Sequence, residues 1–420
     1  MIIQENGYHI WEEKDLKFLK SNYETKSNAE LAAALGIKLT TCRTKLYSMG
    51  LKRMELEYWT DEQVNYLKAN YREIGDTELA QIFNEKWHKA KGRKNLPWQK
   101  KRTPYKVWIS EIMLQQTQVS TATPYFERFI KEFPNIKKLA EANLDQVMSH
   151  WSGLGYYARA RNIYEAAKII SSKHKGKIPN SLEELLSLPG IGKSTAGAIL
   201  ALGYKKKAAI LDGNVKRVLS RHRKIKGDLS SSSTIKNLWQ ISERFLPEDQ
   251  IDIYTQAIMD LGATVCTKSK PACLHCPVNQ DCQALKQDLV KVLPTKNKVK
   301  AKQIKKVFWL IPQGPEGDLL LEKRNNNGLW GGLWAFIESE EKESLQTEFS
   351  SRFETEHPKF KRLTKVKHSF SHFKLEAIPY LAELKTRKKY KNTVWVNSKN
   401  VESLGLPTPV KRTIEQITAS

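Results

Sequence analysis

Two carboxylic acids, four crowded cysteines and a glycine-bearing turn are the residues of this 420-residue chain that bear most directly on chemistry. Glu111 sits in Trp108-Ile109-Ser110-Glu111-Ile112-Met113-Leu114-Gln115-Gln116-Thr117, flanked by Ile109, Ile112 and Met113. A carboxyl among such neighbours loses hydration, which raises its pKa and equips it to donate a proton. Asp212 lies in Leu211-Asp212-Gly213-Asn214-Val215, where the ordinary role of an Asp is to cap the helix that follows. Cys266, Cys273, Cys276 and Cys282 follow C-x6-C-x2-C-x5-C, with Pro271 and Pro277 stiffening the loop. Four thiolates so spaced can close round one metal centre, and tetrahedral zinc and a [4Fe–4S] cluster both accept that donor set. Leu188-Pro189-Gly190-Ile191-Gly192-Lys193-Ser194 joins two helical stretches, 182–188 and 195–202. Glycines at such a turn let backbone N–H groups approach a phosphate at the start of the second helix.

The elements that must hold these residues follow from composition and texture. A length of 420 gives room for about three domains. Hydrophobic residues at 40% are enough for a sizeable core. Lys and Arg number 70 against 45 acids, a net charge of +25 that attracts polyanions. There is no run of about 18 apolar residues to span a membrane. The start, MIIQENGYHIW, lacks the basic-then-apolar pattern of a secretory signal. An intracellular, cytoplasmic protein associated with nucleic acid is expected, with Cys42 a free thiol.

Residues 1–78 carry an internal repeat: Trp11, Phe18-Leu19-Lys20-Ser21-Asn22-Tyr23 and Glu30-Leu31-Ala32 recur as Trp59, Tyr66-Leu67-Lys68-Ala69-Asn70-Tyr71 and Glu78-Leu79-Ala80. Each unit reads as two short amphipathic helices. The first copy continues into a third helix around Thr40–Tyr47 closed by Gly50, a pattern that resembles a Myb- or resolvase-like helix-turn-helix. With 11 basic and 13 acidic residues the segment has a net charge of 11 − 13 = −2, which leaves DNA binding and protein interaction equally open. Residues 79–285 read as nearly all helical. Residues 286–306, with eight lysines and Pro294, read as a solvated linker. In 307–420, short runs such as Val307-Phe308-Trp309-Leu310-Ile311 and Thr393-Val394-Trp395-Val396 read as strands of a small α/β domain.

The cysteine loop resembles that of the endonuclease III superfamily of DNA glycosylases, and the turn at 188–194 followed by Asp212 resembles the helix-hairpin-helix glycosylases. Gly92-Arg93-Lys94-Asn95-Leu96-Pro97-Trp98, Gly153-Leu154-Gly155-Tyr156-Tyr157-Ala158-Arg159-Ala160-Arg161-Asn162 and Ile210-Leu211-Asp212-Gly213-Asn214-Val215-Lys216-Arg217 are similar to the MutY-type adenine DNA glycosylases. The resemblance runs from about residue 79 to near the C-terminus and leaves the N-terminal extension outside it. It implies a mainly α helix-hairpin-helix glycosylase domain with an iron–sulfur loop, a C-terminal Nudix-like domain and an appended all-α extension. The partner it implies is double-stranded DNA containing adenine opposite 8-oxoguanine or guanine, and the cofactor a [4Fe–4S] cluster on Cys266, Cys273, Cys276 and Cys282. Lys268 and Lys270, inside that loop, would meet phosphates.

The resemblance also assigns roles. Glu111 is the proton donor, Asp212 the carboxylate facing the sugar, and Asn214 orients Asp212 or water. Arg93 and Trp98 wall the base pocket. Gln116 and Tyr156 enter the base stack of a kinked duplex. Gly190, Gly192, Lys193 and Ser194 hold DNA at the hairpin. Endonuclease III-type enzymes carry a lysine where Ser194 stands, which forms a Schiff base and cuts the backbone. A hydroxyl there implies a monofunctional enzyme, with Lys216 left for weak imine chemistry. Gly328-Leu329-Trp330-Gly331-Gly332-Leu333-Trp334 and His368-Ser369-Phe370-Ser371-His372-Phe373 resemble the family's Nudix-related domain, whose Phe370-Ser371-His372 loop recognises 8-oxoguanine. The acidic stretch 338–353 lacks the R-E-x-x-E-E arrangement of a Nudix hydrolase. The rival readings are a bifunctional glycosylase/lyase and a non-enzymatic DNA-binding regulator.

Overall fold

The computed structural model describes residues 2–3, 9–51, 91–295 and 301–418, apart from positions 24, 38, 327, 356–357, 371 and 398–399. The second copy of the N-terminal repeat and the junction near residue 79 lie outside the described residues. The chain parts into two compact units, Met1–Glu73 and Ile74–Ser420.

In the first unit a two-stranded ribbon, β1 (Ile2–Ile3) and β2 (His9–Ile10), precedes three helices, α1 (Glu13–Asn22), α2 (Asn28–Ala34) and α3 (Leu39–Ser48). Ser27 and Glu30 form a reciprocal capping box, Glu30 N–H to Ser27 Oγ at 3.2 Å and Ser27 N–H to Glu30 Oε2 at 2.7 Å. Gly36, at φ +63°, ends α2, and Ile37 N–H reaches back to Ala32 O at 3.0 Å. Leu19, Leu31, Ala32, Cys42 and Leu46 close the core of this unit.

The second unit begins its described part with the helices α4 (Pro104–Leu114), α5 (Val119–Glu132), α6 (Ile136–Glu141), α7 (Leu144–Trp151) and α8 (Ala158–Lys173). They are followed by α9 (Leu182–Leu186), α10 (Lys193–Ala198), α11 (Gly213–His222), α12 (Ser232–Arg244), α13 (Ile251–Asp260) and α14 (Gln283–Lys286). The remainder is a mixed sheet: β3 (Gln303–Gln313), β4 (Leu319–Lys323), β5 (Trp334–Ala335), β6 (Ile337–Ser339), β7 (Phe360–Arg362), β8 (Val366–Ser369), β9 (Phe373–Glu383) and β10 (Thr393–Val396). Its main order is β10-β4-β3-β9-β7, with β3 and β9 parallel from Gln303↔Phe373 to Gln313↔Glu383. Helices α15 (Ser344–Phe353) and α16 (Thr408–Thr418) complete it.

From Val307 to Pro312 strand β3 is buried on both faces, and its period of two divides its side chains. Val307, Trp309 and Ile311 join the core that runs through Trp108, Phe129 and Trp151 of the helical part. Phe308 and Leu310 pack instead with Phe349 and Phe353 of α15. One sheet face is thereby continuous with the glycosylase-like core.

The linker expected over 286–306 is shorter than its lysines suggest. Val290 and Leu293 are buried with Ala284 against the cysteine loop, and Leu293 O accepts Arg221 Nε–H at 2.9 Å. Gln303–Lys306 already belong to β3. Charge density hid the few apolar positions, and a helix end plus one apolar anchor is enough to fold such a stretch back.

Candidate active site

Helix α4 begins on Pro104, whose missing N–H costs nothing in a first turn, with Thr103 Oγ1 accepting Lys106 N–H at 3.2 Å. Its register buries Ile109, Ile112 and Met113 in the core. Glu111 is left facing a cavity of about 40 Å³ whose walls include Arg93, Trp98, Arg102, Ser110, Gln256 and Met259. That is space for about three water molecules. Burial pushes the Glu111 carboxyl up to about 7, with the Asp212 charge adding to the rise and Arg93 opposing it.

Asp212 caps α11, and both of its carboxylate oxygens are engaged. Oδ1 accepts Val215 N–H at 2.7 Å, and Oδ2 accepts Asn214 Nδ2–H at 3.3 Å. Burial raises its pKa, while hydrogen bonds from Val215 and Asn214 and the charge of Arg217 pull the other way. Asp212 is not among the cavity's lining residues, but it lies close enough to act on Glu111 electrostatically. Of two interacting acids, the one with more donors ionises first. That arrangement favours the charge on Asp212 and the proton on Glu111.

Arg93 is fixed rather than mobile. Its N–H meets Asp260 Oδ2 at 2.9 Å and its Nε–H meets Oδ1 at 2.7 Å, with the Asp260 side chain wholly buried. Gln256 Nε2–H donates to the same carboxylate at 3.1 Å. Trp98, buried, sits edge-on to Phe126 at 5.4 Å between ring centroids.

The hairpin leads to Asp212 through one hydrogen bond. Ser194 Oγ accepts the Leu211 N–H at 3.0 Å. Lys193, exposed, is engaged elsewhere, 2.7 Å from Glu243 Oε1 and 4.3 Å from the Trp239 ring centre. Gly190 has φ +76°, and a Cβ there would stand 2.7 Å from Asn162 Cβ. Gly192 is the N-cap of α10. Lys216 is one turn into α11, its N–H on Asp212 O at 2.9 Å.

Gln116 and Tyr156 meet at the surface, Tyr156 Oη–H donating to Gln116 Oε1 at 2.7 Å. Both have left-handed backbones, at φ +56° and +50°. Beneath them lies the buried Arg159, whose guanidinium donates to the carbonyls of Ile112, Met113 and Gln115 at 2.9, 2.9 and 2.7 Å and to Gly155 O at 3.0 Å. Its charge also rests against the rings of Trp151 and Tyr156, at 5.4 and 5.3 Å. One cation thus ties the end of α4 to the loop before α8.

The four cysteines are partly buried thiols, and Cys266 and Cys282 each act on the titration of Cys273 and Cys276. Arg221, buried, donates to Cys266 Sγ at 3.4 Å and Thr267 O at 2.7 Å, while Arg217 Nε–H reaches Cys266 O at 2.7 Å and its Nη2–H reaches Asn214 Oδ1 at 2.8 Å. Both arginines belong to α11, and Arg217 alone of the two also bonds the Asp212 segment, at Asn214. Among the described residues no set of three or more His, Cys, Asp or Glu is drawn into a closed metal shell. The all-thiol donor set and the cationic donors beside it suit an anionic iron–sulfur centre.

In the C-terminal part, Phe370 and His372 lie between β8 and β9, and Ser371 lies outside the described residues. Phe370 stacks on Phe373 at 4.5 Å and leans on Trp330 at 5.8 Å. The next residue, Gly331, accepts a hydrogen bond from Arg161 of α8 through its carbonyl.

Four of these residues carry no role in the sequence reading: Asp260, Arg159, Arg217 and Arg221. Arg159 was legible in principle, since it shares helical register with Ile163, Ala166 and Ile170, all buried. A cation on an apolar face must find acceptors. Asp260 likewise ends a helix that is buried from Tyr254 onward.

Comparisons with known proteins agree with one another. Residues 109–244 match the HhH-GPD superfamily of base excision DNA repair proteins, and residues 307–416 match the NUDIX domain. The chain is 42% identical over 340 residues to an adenine DNA glycosylase of Buchnera aphidicola subsp. Baizongia pistaciae, covering 79% of this chain and 94% of that protein. It is 41% identical over 201 residues to the adenine DNA glycosylase of Rattus norvegicus, covering 46% of this chain and 39% of that one. A solved non-covalent endonuclease III–DNA complex superposes with a TM-score of 0.42 at 20% identity, over 55% of this chain and 99% of that one.

Proposed function

The chain belongs to the adenine DNA glycosylase family, and from that premise we propose that it removes adenine paired with 8-oxoguanine or guanine in duplex DNA, hydrolysing the N-glycosidic bond without cutting the backbone. It is a base excision repair glycosylase acting on adenine. The observation that carries the reading is a carboxyl held near pKa 7 in the same cavity as Arg93 and Trp98, with an ionised partner, Asp212, acting on it.

The adenine leaves the duplex before its glycosidic bond can be reached. The cavity is smaller than a purine, so its walls move outward as the base enters. Glu111, protonated, donates to N7 and makes the departing base neutral. Asp212, ionised, stabilises the positive charge left on the sugar, the division of labour seen for paired carboxylates in glycoside hydrolysis. Asn214 holds Oδ2 of Asp212 in place, and Glu111, now deprotonated, takes a proton from water. Ser194 offers no amine for imine formation and is occupied by Leu211 N–H, and Lys193 is held by Glu243.

Tyr156 and Gln116 enter the base stack. Gly190, Gly192, Lys193, Ser194 and Lys216 approach the phosphates. Phe370, Ser371 and His372 read the opposite base, Ser371 bonding N7–H and O8, the atoms that separate 8-oxoguanine from guanine. Cys266, Cys273, Cys276 and Cys282 would hold a [4Fe–4S] cluster, which shapes the loop carrying Lys268 and Lys270. Among the described residues no helix is long and apolar enough to cross a membrane; we place the enzyme in the cytoplasm with the nucleoid.

The test is incubation with a duplex holding one A opposite 8-oxoguanine, measuring free adenine, and strand breaks with and without alkali. Adenine release with breaks only after alkali is expected. Breaks without alkali favour the lyase reading, and no release overturns the proposal.

A further inference from the structure

The unit Met1–Glu73 takes no part in the reading above, and its charge has a pattern that its net value conceals. Residues 31–54 contain no acid and five basic residues, Lys38, Arg43, Lys45, Lys52 and Arg53. The acids of the described helices, Glu12, Glu13, Asp15 and Glu30, all belong to α1 and the first turn of α2. Over Met1–Glu73 eleven basic and eleven acidic residues cancel, and the acid-free stretch that carries α3 is flanked by two net-acidic ones, 1–30 with 4 basic and 6 acidic residues and 55–73 with 2 basic and 5 acidic residues.

The order of elements around α3 matches that of a helix-turn-helix. The capping box at Ser27 starts α2, Gly36 turns the chain at φ +63°, and α3 packs back on α2 through Cys42 and Leu46. Its outward positions among the described residues are Arg43, Thr44 and Ser48, all exposed. Lys45 flanks that face with its ammonium 5.5 Å from the Trp11 ring centre. A protein-docking face is centred on buried aromatic or aliphatic anchors, and none of these exposed side chains is one. Cations and hydroxyls on the outer side of the second helix are instead what phosphate contacts use.

We infer that this unit is a second duplex-DNA contact, with α3 laid against the DNA and Arg43 and Lys45 on phosphates. It holds the enzyme on undamaged DNA independently of the glycosylase site, and the inference does not rest on the identity of the excised base.

The experiment compares full-length wild type, Arg43→Glu and Arg43→Glu/Lys45→Gln, each checked for folding by circular dichroism. Fluorescence anisotropy with an undamaged duplex is measured across a salt series. Each lost phosphate contact should lower the slope of log K against log salt by about 0.9, so about 0.9 and 1.8 are expected, with affinity roughly tenfold weaker at low salt. The single-turnover excision rate at saturating A:8-oxoguanine duplex should not change. Thr44→Glu, also exposed, gives the same readout should the first substitution disturb α3. Folded variants with unchanged slope and affinity overturn the inference, and the face then serves a protein partner or none. Loss of excision in wild type would bear on the glycosylase reading alone.

Discussion

The Tyr156 hydroxyl donates to Gln116 Oε1 at 2.7 Å, joining two exposed loop residues that lie 40 positions apart. Both are in left-handed conformations, which cost of order 1 kcal/mol or more each for a side chain of this size. Arg159 offsets that cost by satisfying the carbonyls that the two bent loops turn inward. The pair is thereby held together at the surface.

Arg159→Lys keeps the charge but loses the planar fork. Several carbonyls are left without donors, and stability should fall by about 2–3 kcal/mol in urea unfolding. Tyr156→Phe, at the exposed end of the same arrangement, should leave the unfolding midpoint nearly unchanged while lowering kcat/KM on duplex roughly 3- to 10-fold. A duplex substrate processed equally well by Tyr156→Phe would show that the bond to Gln116 does not prepare the wedge.

Burial pushes the Glu111 carboxyl up to about 7, and in the proposed mechanism its protonated form is the working one. The single-turnover excision rate should therefore fall about tenfold per pH unit well above 7, and Glu111→Gln should be inactive at every pH. The same rise acts on stability. A carboxyl whose folded pKa lies above its ordinary value of 4.5 favours folding fully below that value, and the contribution disappears as pH rises through about 7. Glu111→Gln should accordingly be more stable than wild type at pH 8 and no more stable at pH 4. A wild-type profile flat from pH 6 to 9 would remove Glu111 as the acid.

Asp212→Asn separates capping from catalysis. Asn caps a helix about as well as Asp, so folding and DNA binding should persist while adenine release is lost. Asp212→Ala should in addition lose about 1 kcal/mol of stability with the Val215 hydrogen bond. Full activity in the Asn variant would refute the assigned charge stabilisation.

For Ser371→Ala, the preference for A:8-oxoguanine over A:G should shrink roughly tenfold, about 1.4 kcal/mol, with the A:G rate itself unchanged. Equal loss on both substrates would point to a general disturbance of the segment between β8 and β9.

Metal analysis distinguishes the two centres compatible with four thiols. Iron and sulfide in equal amounts are expected, and stoichiometric zinc without iron would contradict the cluster. Cys276→Ser should lose the metal and weaken DNA binding more than it lowers the excision rate at saturating duplex, because among the described residues the loop reaches Asp212 indirectly, through Arg217 and Asn214.

What the sequence determined by itself was everything set by short spacing. The cysteine pattern, the hairpin with its glycines, the Asp212 cap, the three N-terminal helices and the alternation along β3 each depend on neighbours within a turn or two, and periods of 2 and 3.6 are visible without coordinates. Tertiary structure decided what depends on distance through space. Arg93 is fixed by Asp260, 167 positions away. The pKa of Glu111 comes from burial by several segments and from Asp212 on another helix. Arg217 and Arg221 join the cysteine loop to α11, and residues taken for linker fold back through Val290 and Leu293. Burial and Coulomb fields sum over all segments that meet at a point. Residue order along the chain does not encode that sum, so the chemistry's components were legible early and their tuning only after folding.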